Sequence, residues 1–258
     1  MTAPVMASER DLRGLAAIVS QDRADLPDGE GLPPSLLADL MSQIRCDGIT
    51  LASYESGRQA WECLQGGPGR GRTYVSEDLV RAYSSNYWGS RFCSYPDRTS
   101  DLRSVNRIAD FYSVRQWRST GMYTDVCRPQ GLEYSLAVYL PRPPGSVAGL
   151  SGYVRLYLCR GPGPDFSERD RALLVLLRPH LHQAYLDAER RRHPVPRLTP
   201  RQNDLLYLVA GGHTNTQIAR RLGISEGTVR THLENIYERL NVSSRAAAVT
   251  RAFADRFA

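Results

Sequence analysis

Near the C-terminus, apolar residues recur every three or four positions in three consecutive segments, which predicts three helices between residues 199 and 240. Thr199 and Thr214 each stand three positions before a Gln, the capping-box pattern of a helix start. Glycines follow the first two segments at 211, 212 and 223, and glycine is common just past a helix end. The apolar positions are Leu205, Leu206, Leu208, Val209, Ile218, Ala219, Leu222, Val229, Leu233, Ile236 and Leu240.

A short helix, a glycine turn and a longer helix form the helix-turn-helix pattern of DNA-binding domains. On the longer helix, we expect four polar side chains to reach base edges: Arg230, Thr231, Glu234 and Asn235. Arg can pair with guanine, Asn with adenine and Glu with cytosine. The expected DNA backbone contacts are Thr214, Asn215, Ser225, Thr228, Arg239, Ser243 and Arg245. A solvated polar face on a small helical bundle is the alternative interpretation.

Four motifs extend this pattern: Leu198-Thr199-Pro200-Arg201, Leu222-Gly223-Ile224-Ser225, Thr228-Val229-Arg230 and Val242-Ser243-Ser244-Arg245. The segment thereby resembles the C-terminal DNA-binding domain of LuxR-type regulators, which NarL-type response regulators also carry. In that family a fourth helix follows, here expected over residues 245–253. The resemblance implies that this helix can pair two domains. Gln202, His213 and Glu234 depart from the family pattern, so the base preference does not transfer.

Upstream of this domain, helical and alternating patterns predict an α+β domain. Helices are expected over residues 8–19, 34–44, 77–83 or beyond, 113–121 and 168–191. Strands are expected over residues 49–54, 59–64, 104–108, 133–140 and 153–159, with a hairpin turn at Ser56-Gly57. The order of these elements predicts an antiparallel sheet flanked by helices.

The long helix at 168–191 carries small or apolar residues every three or four positions, with Pro179 expected to kink it. These residues either cover the sheet or form a homodimer seam. They are Leu173, Leu177, Leu181, Ala184 and Ala188. The Arg- and Pro-rich residues that follow read as a stiff linker. We therefore expect a sensor and dimerisation domain at 1–189, a linker at 190–197 and a DNA-binding domain at 198–258.

Residues 165–170 and 176–181, together with the strand order, resemble the GAF-like sensor half of actinobacterial LuxR-type regulators. That resemblance implies a GAF/PAS-like fold with a small-molecule pocket on one face of the sheet. Aromatic residues are dense between Tyr83 and Tyr123, and they fit a plain core and a pocket wall equally well. The candidate pocket residues are Trp61, Tyr87, Trp88, Tyr112, Trp117 and Tyr123.

The amino-acid composition excludes several kinds of functional site. The chain has 258 residues and a net charge of +6, and all 33 of its basic residues are Arg. The absence of Lys excludes a phosphate-loop or Schiff-base lysine and disfavours an ATP-driven regulator or a phosphorylated receiver. Residues 197–258 hold nine Arg against five Asp and Glu, so they carry +4 of the net charge, as phosphate binding requires.

Other classes of site find little support in the sequence. The five cysteines form no Cys-x-x-Cys pair and no ligand spacing with the five His, so we expect reduced thiols and neither a metal nor another cofactor. A redox sensor is the alternative. The glycine-rich stretch at 66–72 lacks the Gly-Lys-Ser/Thr of a phosphate cradle and reads as a surface loop. No catalytic residue is identified, so we do not expect an enzyme.

These observations favour a dimeric, sequence-specific transcription regulator that binds double-stranded DNA, with a small-molecule ligand and RNA polymerase as further partners. No apolar run reaches 18 residues and no secretory signal is visible, so we expect a cytoplasmic protein without a membrane partner. Two other functions remain open: a sigma-factor-like protein that binds RNA polymerase, and an enzyme domain fused to a DNA-binding domain. The acyl-homoserine-lactone subgroup of these regulators would have a Trp and a Tyr a turn apart, followed by Asp-Pro. This chain has Tyr87, Trp88 and then Pro96-Asp97, so a lactone ligand is possible but not favoured.

Overall fold

The computed structural model describes residues 7–55, 60–66, 76–142, 152–192, 198–240 and 242–253. The chain divides into two compact units, one formed by residues 1–142 and 149–189 and the other by residues 143–148 and 190–258. Each unit has hydrophobic cores of its own. The expected hairpin turn at 56–57, most of the glycine-rich loop and linker residues 193–197 lie outside the described residues.

Five antiparallel strands form the sheet of the first unit, in the order β2-β1-β5-β4-β3. They are β1 (Gly48–Glu55), β2 (Ala60–Gly66), β3 (Asn106–Arg107), β4 (Tyr134–Pro141) and β5 (Tyr153–Arg160). Leu156 of β5 pairs with Leu51 of β1 on one side and Val138 of β4 on the other. Almost every residue of β4 and β5 is buried, because both faces of the sheet are covered.

Three helices pack against one face of the sheet: α1 (Glu9–Ser20), α2 (Pro34–Gln43) and α6 (Glu168–Arg192). Leu136, Val138 and Leu140 of β4 point to this side, as alternation along a strand requires. An ion pair between Asp11 and Arg169 joins the starts of α1 and α6. Arg169 holds the pKa of the buried Asp11 carboxyl well below its usual range, so this carboxylate stays charged.

The opposite face is covered by short elements rich in aromatic residues. They are α3 (Glu77–Asn86), α4 (Tyr95–Thr99), α5 (Val114–Arg118), a π-helix (Met122–Cys127) and 3-10 turns at Ile108–Asp110 and Arg128–Gln130. The expected strand at 104–108 is reduced to the two residues of β3. The expected helix at 113–121 is shorter in the structure: α5 ends at Arg118, and Ser119 is its C-terminal cap. The helix α4 was not expected.

The long helix α6 continues through Pro179 to Arg192. Leu173, Leu177, Leu181 and Ala188 are buried, and Ala184 packs against the same core. These five positions therefore cover the sheet, and the homodimer seam that was the other interpretation of them is not supported.

Four helices make up the second unit: α7 (Pro200–Ala210), α8 (Asn215–Leu222), α9 (Glu226–Leu240) and α10 (Arg245–Ala252). Both expected capping boxes are present, with Thr199 and Thr214 accepting from the amides of Gln202 and Gln217. Gly223 ends α8 with φ of 66°, the left-handed region that favours glycine. The expected fold class, an antiparallel sheet flanked by helices followed by a helical domain, is thus confirmed.

Candidate DNA-binding surface and ligand cavity

The polar face of α9 is the first candidate site. Val229, Leu233, Ile236 and Leu240 are buried against the rest of the unit, which leaves the opposite side of the helix to solvent. All four residues expected to contact bases lie on that exposed side: Arg230, Thr231, Glu234 and Asn235. They span six residues, less than two turns, from the first half of α9 to just past its middle. In helix-turn-helix proteins the N-terminal part of this helix enters the major groove.

Hydroxyl groups cap the starts of α8 and α9. Ser225 Oγ accepts from the Thr228 amide at 3.0 Å and lies 2.8 Å from Thr228 Oγ1. Thr214 Oγ1 accepts from the Gln217 amide at 3.3 Å. All three of these residues are exposed. Helix N-termini with exposed hydroxyl groups are suited to phosphate oxygens, because the helix dipole favours negative charge there.

Arg245 and Asn215, both expected to bind phosphate, are half-buried and bonded to each other. Arg245 Nη1 donates to Asn215 Oδ1 at 3.0 Å, and its Nη2 donates to the carbonyl oxygen of His213. These bonds tie the start of α10 to the start of α8. Arg239 and Ser243, the other two expected contacts, are exposed.

The second candidate site is a cavity in the first unit, between the sheet and the layer formed by α3 and the π-helix. The empty space at this place, open solvent included, is about 850 Å³. β1, β2, β4 and β5 all contribute to its floor, while Leu79 and Tyr83 of α3 and Met122 and Val126 of the π-helix lie on the other side. Of the six candidate pocket residues, only Trp61 and Trp117 line it.

The other four candidates lie elsewhere. Tyr87 is fully buried and stacks on Tyr54, with ring centroids 3.4 Å apart. Trp88 is partly exposed under the guanidinium of Arg98. Tyr112 accepts from the Arg91 amide at 2.6 Å, and Tyr123 donates to Glu133 at 2.9 Å. Aromatic density alone did not distinguish these structural roles from the cavity wall.

A buried ion pair near the cavity was missed from the sequence. Arg155 of β5 is fully buried, and its Nη2 donates to Asp97 Oδ2 at 2.8 Å and to the Tyr153 hydroxyl at 2.6 Å. Tyr153 donates to the other oxygen of Asp97 at 2.7 Å, and Tyr87 also donates to this carboxylate. The signal was present: Arg155 lies between Val154 and Leu156 in a strand that alternates across two covered faces.

The described residues hold neither a metal-binding cluster nor a membrane-spanning helix. No group of three or more His, Cys, Asp or Glu side chains in that part of the chain is arranged to hold a metal ion. None of its helices has the length and apolar character needed to cross a bilayer. All five cysteines are thiols.

Together, the helix-turn-helix geometry and the polar face of α9 define a DNA-binding class of domain. Residues 196–252 match the family model described as bacterial regulatory proteins, luxR family. The chain therefore carries a C-terminal helix-turn-helix domain of the LuxR family, a family of transcription regulators, as its motifs indicated.

Two curated relatives illustrate how far the similarity extends. The putative HTH-type transcriptional regulator y4qH of Sinorhizobium fredii is 27% identical over 217 residues, covering 82% of this chain and 57% of that protein. The probable transcriptional regulatory protein SgaR of Hyphomicrobium methylovorum is 46% identical over 79 residues, or 30% of this chain and 37% of that protein. The chain thus spans only about a third to just over half of these relatives.

Among solved structures, SdiA in complex with octanoyl-rac-glycerol matches with a TM-score of 0.54 and 17% identity, covering 97% of both chains. At this identity the likeness shows the fold alone: an α+β domain followed by a helix-turn-helix domain. Three GAF domains also match, with TM-scores of 0.40, 0.37 and 0.35.

Proposed function

We propose that this protein is a sequence-specific DNA-binding transcription regulator. The observation that carries the proposal is the exposed polar face of α9, which belongs to a LuxR-family domain. Arg230, Thr231, Glu234 and Asn235 would contact base edges. The hydroxyls of Thr214, Ser225 and Thr228, with Arg239 and Ser243, would contact phosphates. Asn215 and Arg245 would contact phosphate only through the atoms that are not used in their shared hydrogen bond.

The proposal extends to the organisation of the chain. Residues 1–189 would form the sensor, 190–197 the linker and 198–258 the DNA-binding domain. Two copies would read two half-sites, because helix-turn-helix proteins commonly bind as symmetric dimers. RNA polymerase would be a further partner. Catalysis and a bound cofactor form no part of the proposed function, and the protein would act in the cytoplasm, where bacterial DNA is accessible.

Arg230→Ala tests the base-reading role. A preferred sequence is first selected from a random pool of duplexes with the full chain. We expect the variant to bind that duplex about 1–3 kcal/mol more weakly and to lose the preference at one base position, because a bidentate bond to a guanine is removed. Mobility-shift titrations of single-base variants of the duplex, all at one salt concentration, measure both effects.

Arg239→Ala is the matched control, since it removes an exposed arginine from the other end of the same helix. It should weaken all duplexes alike and lower the slope of log affinity against log salt by about 1, as expected for one lost phosphate contact. The proposal fails if the unmodified chain binds every duplex with equal, weak and salt-insensitive affinity. An unchanged preference in Arg230→Ala would remove Arg230 from the base-reading set.

We also propose that the first unit senses a small molecule. The cavity between the sheet and α3 supports this, because its wall is mainly apolar and aromatic with a few polar groups, as in ligand sites. SdiA, whose fold is similar, has been solved with octanoyl-rac-glycerol. Occupation of the cavity would change how the two DNA-binding domains of a dimer are presented.

A further inference from the structure

The wall of the cavity is made largely of rings and sulfur. Five of its eighteen lining residues are aromatic: Trp61, Tyr83, Phe92, Trp117 and Tyr157. Five others carry sulfur: Cys63, Cys93, Met122, Cys127 and Cys159. Aromatic rings prefer stacked or edge-to-face contacts with other rings, and sulfur makes favourable contacts with ring edges. Such a wall favours a flat aromatic molecule over a flexible alkyl chain.

The wall carries no charge. None of the eighteen residues is Asp, Glu, Arg or His. Burial raises the pKa of the Cys93 and Cys127 thiols and of the Tyr83 and Tyr157 hydroxyls, so all four stay neutral at physiological pH. A charged ligand would lose its hydration without gaining a counter-ion in the wall, which is costly. The lining therefore selects against ions.

One hydrogen-bond donor of a lining side chain has no partner among the residues that the structure describes. Trp61 is 9% exposed, and its Nε1 makes no hydrogen bond to any residue that the structure describes. Trp117, in the same wall, donates from Nε1 to the Glu133 carbonyl oxygen at 3.1 Å. The hydroxyls of Tyr83 and Tyr157 also share one hydrogen bond, 3.0 Å long. An unsatisfied buried donor costs about 1–3 kcal/mol, which an acceptor on a ligand would recover.

We propose that the cavity binds an uncharged, flat aromatic molecule with a carbonyl-type acceptor, which takes a hydrogen bond from Trp61 Nε1. The inference rests on the proposed sensing function and specifies the class of molecule sensed. The rings and sulfur atoms of the wall would provide the contact area. Trp61 would fix the orientation of the molecule through a single directional bond.

Four probes test the class on the full chain by calorimetric titration at neutral pH. They are 9-fluorenone, fluorene, 9-fluorenone-2-carboxylate and 1-octanoylglycerol. Fluorene has the shape of fluorenone but lacks the carbonyl group, so it isolates the hydrogen bond. We expect fluorenone to bind at least fivefold more tightly than fluorene, at least tenfold more tightly than the carboxylate, and more tightly than octanoylglycerol.

Trp61→Phe tests the donor, because it keeps a ring in the wall and removes the N–H. We expect the affinities for fluorenone and fluorene to come within about twofold of each other in this variant. Trp88→Phe, the same change outside the cavity, should preserve the wild-type ratio. Far-UV ellipticity shows whether each variant folds. If Trp61→Phe does not fold, the ratio of fluorenone to fluorene in the wild-type chain still decides the question.

The outcomes separate this inference from the proposals on which it rests. Tight binding of octanoylglycerol without binding of fluorenone would overturn the aromatic class and keep the sensing function. Equal affinities of the wild-type chain for fluorenone and fluorene would overturn the acceptor. If none of the four probes bound, both the aromatic class and small-molecule sensing would be rejected. Binding of the selected duplex by the same preparation would still stand as a separate test of DNA recognition.

Discussion

At the scale of single residues, we expect the fold to be sensitive to substitution of the buried ion pair between Arg155 and Asp97. The Arg155 side chain is 0% exposed and that of Asp97 is 13% exposed, so water screens the pair little. Asp97 is also the carboxylate to which Tyr87 and Tyr153 donate. Removing one partner of such a pair leaves the other as an uncompensated buried charge.

Asp97→Asn keeps the shape of the side chain and removes its charge. We expect it to lower the free energy of unfolding of the first unit by about 3–5 kcal/mol, because the Arg155 guanidinium remains buried without a counter-ion. Urea denaturation followed by tryptophan fluorescence measures the change. The double variant Asp97→Asn/Arg155→Met should recover part of the loss, since the stranded charge is gone.

Asp78→Asn is the control for this experiment. Asp78 pairs with Arg81 on the surface of α3, where both side chains are more than two-thirds exposed. Such pairs contribute little, so the change should stay within about 0.5 kcal/mol. Equal effects of Asp97→Asn and Asp78→Asn would show that the buried pair does not stabilise the fold.

The two candidate sites differ in how far they could be predicted residue by residue. For Arg230 and Asn235, exposure follows from helical period once Val229 and Leu233 are assigned to the core. For the cavity, no comparable rule applies. A Tyr or Trp in a covered sheet packs equally well as core or as lining, and only the tertiary arrangement places Trp61 in the wall and Tyr87 outside it.

At the scale of elements, predictability followed the strength of the local signal. α7, α8 and α9 have capping residues and a steady helical period, and α7 and α8 also end at glycines. Their bounds were close to those expected. Between residues 95 and 130, aromatic residues follow neither a helical nor a strand period. That stretch folds into short helices and turns that fill the space against the sheet, and long-range packing decides its structure.

The turn between α8 and α9 tests a local signal directly. Gly223→Ala should destabilise the second unit by about 1 kcal/mol, because φ there is 66° and a side chain is strained in that region. An added Cβ would meet no atom within 4 Å, so strain is the whole effect. Thermal unfolding followed by ellipticity at 222 nm measures it.

Gly227→Ala serves as the opposite case, since Gly227 lies inside α9 and an added Cβ would lie 3.7 Å from Ser225 Oγ, an ordinary contact. It should stabilise the unit by about 0.4–1 kcal/mol, because alanine loses less conformational entropy than glycine. Two effects of the same sign would contradict the role assigned to the turn.

At the scale of the whole molecule, the chain holds separate cores in its two units. One pair of hydrophobic clusters covers the two faces of the sheet, and a third fills the helical unit. The net charge is also uneven: residues 197–258, the segment assigned to DNA binding, carry +4 of the total of +6. A regulator built in this way would keep its ligand chemistry and its DNA chemistry in separately stabilised parts.

All three tryptophans, Trp61, Trp88 and Trp117, belong to the first unit, so fluorescence reports on that unit alone. Ellipticity at 222 nm reports on helices in both units. We therefore expect urea transitions followed by the two signals not to coincide.

Leu156→Ala, in the sheet core, should move the fluorescence midpoint, because it costs about 2–5 kcal/mol there. Leu206→Ala, in the core of the helical unit, should leave that midpoint in place and move only the ellipticity transition. If each variant shifted both signals equally, the two units would unfold as one, and the separation of their cores would have no thermodynamic meaning.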